Sequence, residues 1–483
     1  MSTSTAKTKS TQKYLQNIKS APAFSKLDKI GYMLGDLGFN SLQVLVNTYL
    51  MLFCVNIMGM SAIHFSIIVF VCKALDALND TFIGRIVDLR PGNKDGKFKP
   101  WILWFAIPYV IFTIVLFLNV EAMPYTAKII WVLIIYFIWG IVGTFINVPY
   151  GTLSNVVTAN QMERTELSNA RSIGSLVANF GTATLAPMLL YDANNNPIAS
   201  RFLVLSVILG IFCIVCLFFT YKLCHERIAV TNDAGSTTEK VHYWKVMKTF
   251  VKNRPMIAIV LAYIISKFFI QTTSLTNQYV FMVYFKDTSI LSLSAITGIL
   301  PLVLGMLTLK PLIKKFGKKN LITWPVLLSA LIYAINMILP ISAYGWIIVQ
   351  MVSSFFTGYF SLLIWSLIAD AVDYQTYLTG EHNEGTVYAT ITFLVFFISS
   401  MSTSLIALLL EFVGYDAKLG SNQAAGVVEG VKILSGALPV VGCILIFICF
   451  KLIYNMTDDE MRKISDVVKQ RSDEIEATVE IEK

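Results

Sequence analysis

Ile63-His-Phe-Ser-Ile-Ile-Val-Phe-Val-Cys-Lys73-Ala-Leu-Asp76-Ala-Leu-Asn79-Asp80-Thr-Phe-Ile-Gly-Arg85-Ile-Val87 is one apolar stretch broken by two carboxylates and an amide. It is long enough for a helix across a hydrocarbon core of about 30 Å, which takes about 20 residues. Asp76 and Asp80 stand one helical turn apart, and Lys73 is the nearest cation. An ionised Asp near a bilayer centre costs about 2.5–3.5 kcal/mol on insertion scales, and like charges at i,i+4 also repel. A membrane helix that keeps both must recover that free energy from something it binds. In low dielectric two close carboxylates share a cation, or one of them takes up a proton.

The rest of the chain continues the pattern. Its 483 residues are 55% hydrophobic and 14% charged, against about 25% charged in soluble domains. Apolar segments long enough to cross are predicted near 30–56, 62–87, 100–120, 126–157, 166–191, 201–222, 256–285, 291–313, 320–340, 344–373, 385–413 and 433–456. They lack the period-2 alternation of a barrel, and open strands leave backbone groups unsatisfied in lipid. The expected fold is therefore an all-α membrane protein of twelve transmembrane helices in two pseudo-symmetric six-helix bundles. The expected layout is a tail over 1–29, a bundle over 30–222, a central loop over 223–255, a bundle over 256–456 and a tail over 457–483.

The formal charge of +8 is a topology signal. Loops on the side of both termini carry eighteen Lys/Arg, and the opposite loops carry five. By the positive-inside rule both tails are expected in the cytoplasm of a multi-pass plasma-membrane protein. Such a distribution fits anionic headgroups, not nucleic acid. Residues 1–27 are polar and basic, so no cleavable signal is expected. Cys213 and Cys216 lie in an all-apolar helix, where thiols act as small hydrophobes. Without a nucleophile–base pair or metal cluster an enzyme is not expected, nor is a cofactor beyond a coupling ion, Na+ or H+. A monomer is expected.

The two halves share a weak repeat. Gly84-Arg-Ile-Val-Asp88-Leu-Arg90-Pro-Gly92-Asn-Lys94 follows the second span, and Leu309-Lys-Pro-Leu-Ile-Lys314-Lys315-Phe-Gly317-Lys318-Lys319 follows the eighth. Both are short and basic, and both turn on a glycine. The first resembles the G-x-x-x-D-R-x-G-R-R signature of the major facilitator superfamily, with Leu89 inserted, and makes Asp88 and Arg90 candidate gating residues. Two such bundles enclose a midplane site in transporters.

Other polar residues interrupt the spans. Asp36 and Asn40 are i,i+4 in the first, and Thr144, Asn147, Pro149, Tyr150 and Gly151 follow one another in the fourth. Arg171 stands in the fifth, Lys267 and Gln271 in the seventh, Trp365, Asp370 and Asp373 in the tenth, and Tyr388, Thr390 and Thr392 in the eleventh. Asp370 and Asp373 fit a gate or a helix end equally well, and Lys73 fits a structural ion pair with Asp76. Asn79 and Thr144 offer neutral oxygens beside the two acids, a set suited to a hard cation. Asp36, Asn40, Asn147 and Arg171 can read sugar hydroxyls, with Tyr150, Trp365 and Tyr388 as candidate aromatic platforms.

Asp76-Ala-Leu-Asn79-Asp80, Gly96-Lys-Phe-Lys-Pro-Trp101, Asn147-Val-Pro-Tyr-Gly151, Ala369-Asp-Ala-Val-Asp-Tyr374 and Glu384-Gly-Thr-Val-Tyr388 together resemble the glycoside-pentoside-hexuronide:cation symporter family, which is melibiose permease-like and part of the major facilitator superfamily. The resemblance implies a major facilitator fold and sugar uptake driven by sodium or protons. It implies Asp76, Asn79, Asp80 and Thr144 as cation ligands, Arg171 as a sugar-reading arginine and Thr392 as a binding threonine. The chain departs from melibiose permease at Asn40 and Asn147, where that protein has aspartates, and at Gly151, where it has tryptophan. This variant resembles the xyloside and glucuronide branch, in which Asp36 is usual. Phe396 replaces a lysine common in span eleven. The expected function is cation-coupled symport of a glycoside, pentoside or oligosaccharide by alternating access. The alternatives are an uncoupled facilitator or exchanger of the same fold, and a sugar-binding sensor.

Overall fold

A computed structural model describes residue 14 and residues 16–467, except 91, 94, 159, 193–194, 229–252, 380–393, 395–400, 403, 458, 462 and 465–466. Its helices are α1 (Lys26–Leu52), α2 (Ala62–Leu89), α3 (Lys99–Leu116), α4 (Tyr125–Val157), α5 (Gln161–Leu190), α6 (Ala199–Leu223), α7 (Arg254–Tyr279), α8 (Ile296–Ile338), α9 (Ala343–Thr379) and α10 (Ala425–Ile448). Nine described helical stretches are long and apolar enough to cross a membrane.

The helix starts follow local chemistry. Ser25 caps α1: its hydroxyl accepts from Leu27 N at 3.3 Å, and Ser25 N donates back to Asp28 at 3.0 Å, a reciprocal capping box. Asn160 caps α5, accepting from Met162 N at 2.9 Å. That start precedes the predicted 166 because the first turn, Gln161-Met-Glu-Arg, is polar and escapes a hydropathy reading. Helix α8 covers most of both predicted segments, 291–313 and 320–340; it breaks at Gly317, whose φ of 75° and ψ of 167° are not helical. A positive φ of this kind suits glycine. The predicted span 385–413 lies largely outside the described residues; residues 404–412 of it are helical.

Two compact units result. One takes the chain up to Ser236 with Lys286–Ser292 and Leu410–Gln423, and the other takes Thr237–Phe285, Leu293–Leu409 and Ala424–Lys483. The second unit is cored by side chains such as Ile259, Val326, Phe360, Leu363 and Phe450. In the first, the segment after α6 straps four helices together. Glu226 accepts from Lys97 N, Phe98 N and Lys99 N at 2.8, 2.9 and 3.0 Å, placing a carboxylate on the N-terminus of α3. Gly96, at φ 119°, leaves the room; any Cβ there would collide with this carboxylate. Arg227 forks onto Asp28 of α1 at 3.0 and 2.9 Å, and its N–H donates to Val156 O of α4.

All seven cysteines are free and buried. Burial, with Asp28 beside it, pushes the Cys224 thiol up to about 12, so it stays protonated at neutral pH.

Glu226→Ala strands three backbone donors at a buried helix start. Thermal unfolding in detergent should show a loss of about 1–3 kcal/mol, with Glu226→Gln losing less.

Candidate functional site

The pairing of α2 with α4 builds the acidic site. Cys72 Sγ donates to Leu133 O at 3.8 Å. One residue on, Lys73 Nζ lies 5.7 Å from the Tyr136 ring and 5.9 Å from that of Trp139. Asp76 presses on Gly140, where an added Cβ would stand 2.6 Å from Oδ1. Residue numbers rise together along both helices, so the helices are parallel. The next turn brings positions 79 and 80 to the level of 143 and 144. Of the four expected cation ligands, Asp76 and Thr144 both lie against Gly140, and Asn79 and position 80 stand one turn along α2 from Asp76. The side chains of Asp80 and Asp88 lie outside the described residues.

Within this seam Lys73 pairs with Asp76 at 3.4 Å, both about one-fifth exposed. The amide nitrogen of Asn79 is buried and has no hydrogen-bond partner among the described residues. Thr144 Oγ1 donates to Gly140 O at 3.2 Å, which ties it to the residue that Asp76 presses on. Trp139 is held by a bond from Nε1 to Thr113 Oγ1 at 3.0 Å and stacks between Tyr109 and Tyr136. Lys73 therefore has a rigid aromatic wall behind it.

A second polar group joins α1, α4 and α5. Arg171 Nε donates to Asp36 at 3.0 Å, and Asn40 Nδ2 donates to the other Asp36 oxygen at 2.7 Å. Asp36 is 4% exposed and Arg171 40% exposed, so a buried acid aims a half-open guanidinium. The terminal guanidinium nitrogens have no hydrogen bond among the described residues, and Gly151 leaves space 4.0 Å from one of them. Tyr150 corrects an expectation. It is 2% exposed, stacked on Tyr32 at 4.6 Å and covered by Arg171 at 5.2 Å. It supports the arginine and offers no open ring to a solute. Gly35 makes this possible, since a Cβ there would meet Tyr150 at 2.5 Å. Asn147 is exposed on α4.

In the second unit Trp365 is 45% exposed, its ring edge-on to Tyr263 at 5.7 Å. Asp370 pairs with Lys318, just past the Gly317 break, at 2.7 Å, while Asp373 stands one turn further on. Arg90 stacks on Trp104 at 4.1 Å and Trp101 at 5.1 Å. Tyr388, Thr392 and Phe396 lie outside the described residues. Sequence reasoning missed the Glu226 strap, because Cys224-His-Glu-Arg227 reads only as a charged run after a span.

The sequence profile described as MFS/sugar transport protein matches residues 31–458. The chain belongs to that family. It is a multi-pass membrane transporter with a sugar-transport fold, and it is not an enzyme. It is 28% identical to the uncharacterized symporter YjmB of Bacillus subtilis (strain 168), across 94% of this chain and 98% of that one. It is 26% identical to the isoprimeverose transporter of Lactiplantibacillus pentosus, across 92% of each. Among solved structures, the inward-facing, unoccupied bacterial homologue of the lysosomal transporter Spinster matches with a TM-score of 0.63 at 14% identity, over 89% of this chain and 97% of that one. At that identity the likeness concerns the fold alone.

Removing Arg171 leaves Asp36 as a buried, uncompensated charge. Arg171→Ala should lower stability by about 3 kcal/mol, the lower end for breaking a buried pair because the guanidinium is half open. Adding Asp36→Asn should restore part of it in a double-mutant cycle; additive losses would separate the two residues.

Proposed function

We propose that the protein imports a glycoside or pentoside by alternating access, in symport with one monovalent cation, Na+ or H+. The observation that carries this reading is the α2–α4 seam, where Asp76 and Thr144 both meet Gly140 and the Asn79 amide, one turn along α2, is buried without a hydrogen-bond partner among the described residues. Asp76, Asn79, Asp80 and Thr144 hold the cation. A half-turn of the Asn79 amide presents its oxygen to the ion.

Charge sets the stoichiometry. Lys73 offsets one acid, which leaves one negative charge from Asp76 and Asp80 for a single cation to cancel. With the ion bound, the seam is neutral and its movement through low dielectric is cheap; empty, it is charged and resists. That difference is the coupling. The sugar is read by Arg171, aimed by Asp36 and Asn40, with Asn147, Trp365, Tyr388 and Thr392 as further contacts. Asp88, Arg90, Asp370 and Asp373 gate the cytoplasmic ends. The names of the matched relatives, a symporter and an isoprimeverose transporter, support the class. The bundles comprise 30–222 and 256–456, both termini are cytoplasmic, and a monomer in the plasma membrane suffices.

Lys73 also favours a second reading. An acid already paired with a lysine lowers the penalty of the empty seam and moves the protein toward uncoupled facilitation. Uptake into proteoliposomes separates the two. Under symport, an inward Na+ or H+ gradient should concentrate the accepted sugar about tenfold, and Asp76→Asn or Asp80→Asn should abolish accumulation while keeping exchange at most. Equal accumulation without either acid contradicts the proposal, and equilibration indifferent to the ion establishes the facilitator.

A further inference from the structure

Two amides on α1 have no assigned role. After Ile30 no residue of α1 is fully exposed, so this helix runs inside its unit. Gly31, Gly35 and Gly38 close one side of it, where an added Cβ would strike Leu223, Thr220 or Cys216 of α6. Tyr32 stacks on Tyr150 of α4 and Phe39 on Tyr109 of α3, while the Met33 carbonyl lies against Gly174 of α5. Asp36, Asn40, Gln43 and Asn47 fall within about 60° of one another at about 100° per residue, in the sector between the α4 and α5 contacts. Asp36 and Asn40 are engaged with Arg171 and with each other. Gln43 and Asn47 are half-buried and hydrogen-bond to no described residue.

Helix α5 brings a matching row from the same unit. Arg171, Ser175 and Asn179 follow one another at i,i+4, while Ile173, Val177 and Met188, exposed by 52, 53 and 64%, mark the opposite, lipid side. Arg171 bonds Asp36 at 3.0 Å, and Thr182 Oγ1 donates to Ser41 O at 3.4 Å. The two helices are therefore parallel, and Asn179 stands between those contacts. Its Nδ2 donates to Ser175 O and Oγ at 2.8 and 3.5 Å, both on its own helix. Asn179 Oδ1 has no hydrogen bond among the described residues.

Polar groups within membrane-spanning segments that meet no protein partner meet water or solute, and they mark solute pathways. Amides on two neighbouring helices offer both donors and acceptors without charge, the complement of an uncharged, hydroxylated ring. Position narrows the choice. Gln43 and Asn47 lie about 10 and 16 Å along the axis from Asp36, at about 1.5 Å per residue. A single ring held at Arg171 does not reach them, and two linked rings do. We propose that Gln43, Asn47 and Asn179 form a subsite for a second, neutral sugar ring, and that this subsite selects two-ring solutes over one-ring glycosides. Arg171, aimed by Asp36 and Asn40, reads the first ring. This inference rests on the glycoside reading above.

Purified full-length protein is tested by equilibrium binding, and in proteoliposomes by uptake, with three pairs of sugars. These are methyl xyloside against xylobiose, methyl galactoside against lactose and methyl glucoside against cellobiose. In at least one pair the wild type should favour the two-ring member by about tenfold or more, the effect of one or two added hydrogen bonds. Gln43→Ala combined with Asn47→Ala should bring that ratio to about twofold or less. A ratio that survives the double variant overturns the proposal. So does an equal weakening of both members, which assigns the amides to structure or to lining water. If one-ring and two-ring sugars bind the wild type alike, only this inference fails; if no sugar binds, the glycoside reading falls with it. Where the double variant does not fold, Asn179→Ala, whose amide bonds only its own helix, gives the comparison, and an unchanged ratio there again contradicts the assignment.

Discussion

The close approach of α2 to α4 at Gly140 is the constraint on which the site depends. It lets Asp76 lie against the neighbouring backbone, fixes the register of two parallel helices and so brings Thr144 to the level of the second acid. A side chain at 140 would hold the helices apart and dissolve the convergence. The apolar surroundings make charge expensive, and under the proposed symport that expense turns ion occupancy into a condition for movement. Lys73, backed by Tyr136 and Trp139, reduces that expense by one acid without removing it.

Polar groups elsewhere follow a similar logic of compensation. Asp36 is nearly inaccessible and is held by Arg171 and Asn40 together, which leaves the guanidinium aimed but electrically balanced. Just after α6, Glu226 and Arg227 spend full charges on a helix terminus and on Asp28, tying four helix ends of the first unit to one short strap.

Much of this was legible in the chain. Apolar segments of spanning length found the helices, since lipid forces the backbone to satisfy itself locally. The carboxylates at 76 and 80 announced themselves because no structural economy explains two acids on one turn. The remainder was not legible, for definite reasons. Polar first turns, as at Gln161, hide helix starts from hydropathy. The two limbs of α8 join across Gly317, which composition alone does not reveal. Tyr150 looked like a platform because a sequence shows an aromatic ring but not the Tyr32 and Arg171 that cover it. Glu226 was passed over because a helix N-terminus 127 residues away in sequence is its partner.

The coupling itself is tested most directly by solute-driven ion flux. Vesicles carrying the wild-type protein, with no imposed gradient, are given the transported sugar while Na+ and pH electrodes record the medium. The account predicts that sugar entry draws in Na+ or H+ in fixed proportion. Sugar entry with neither ion moving would contradict it.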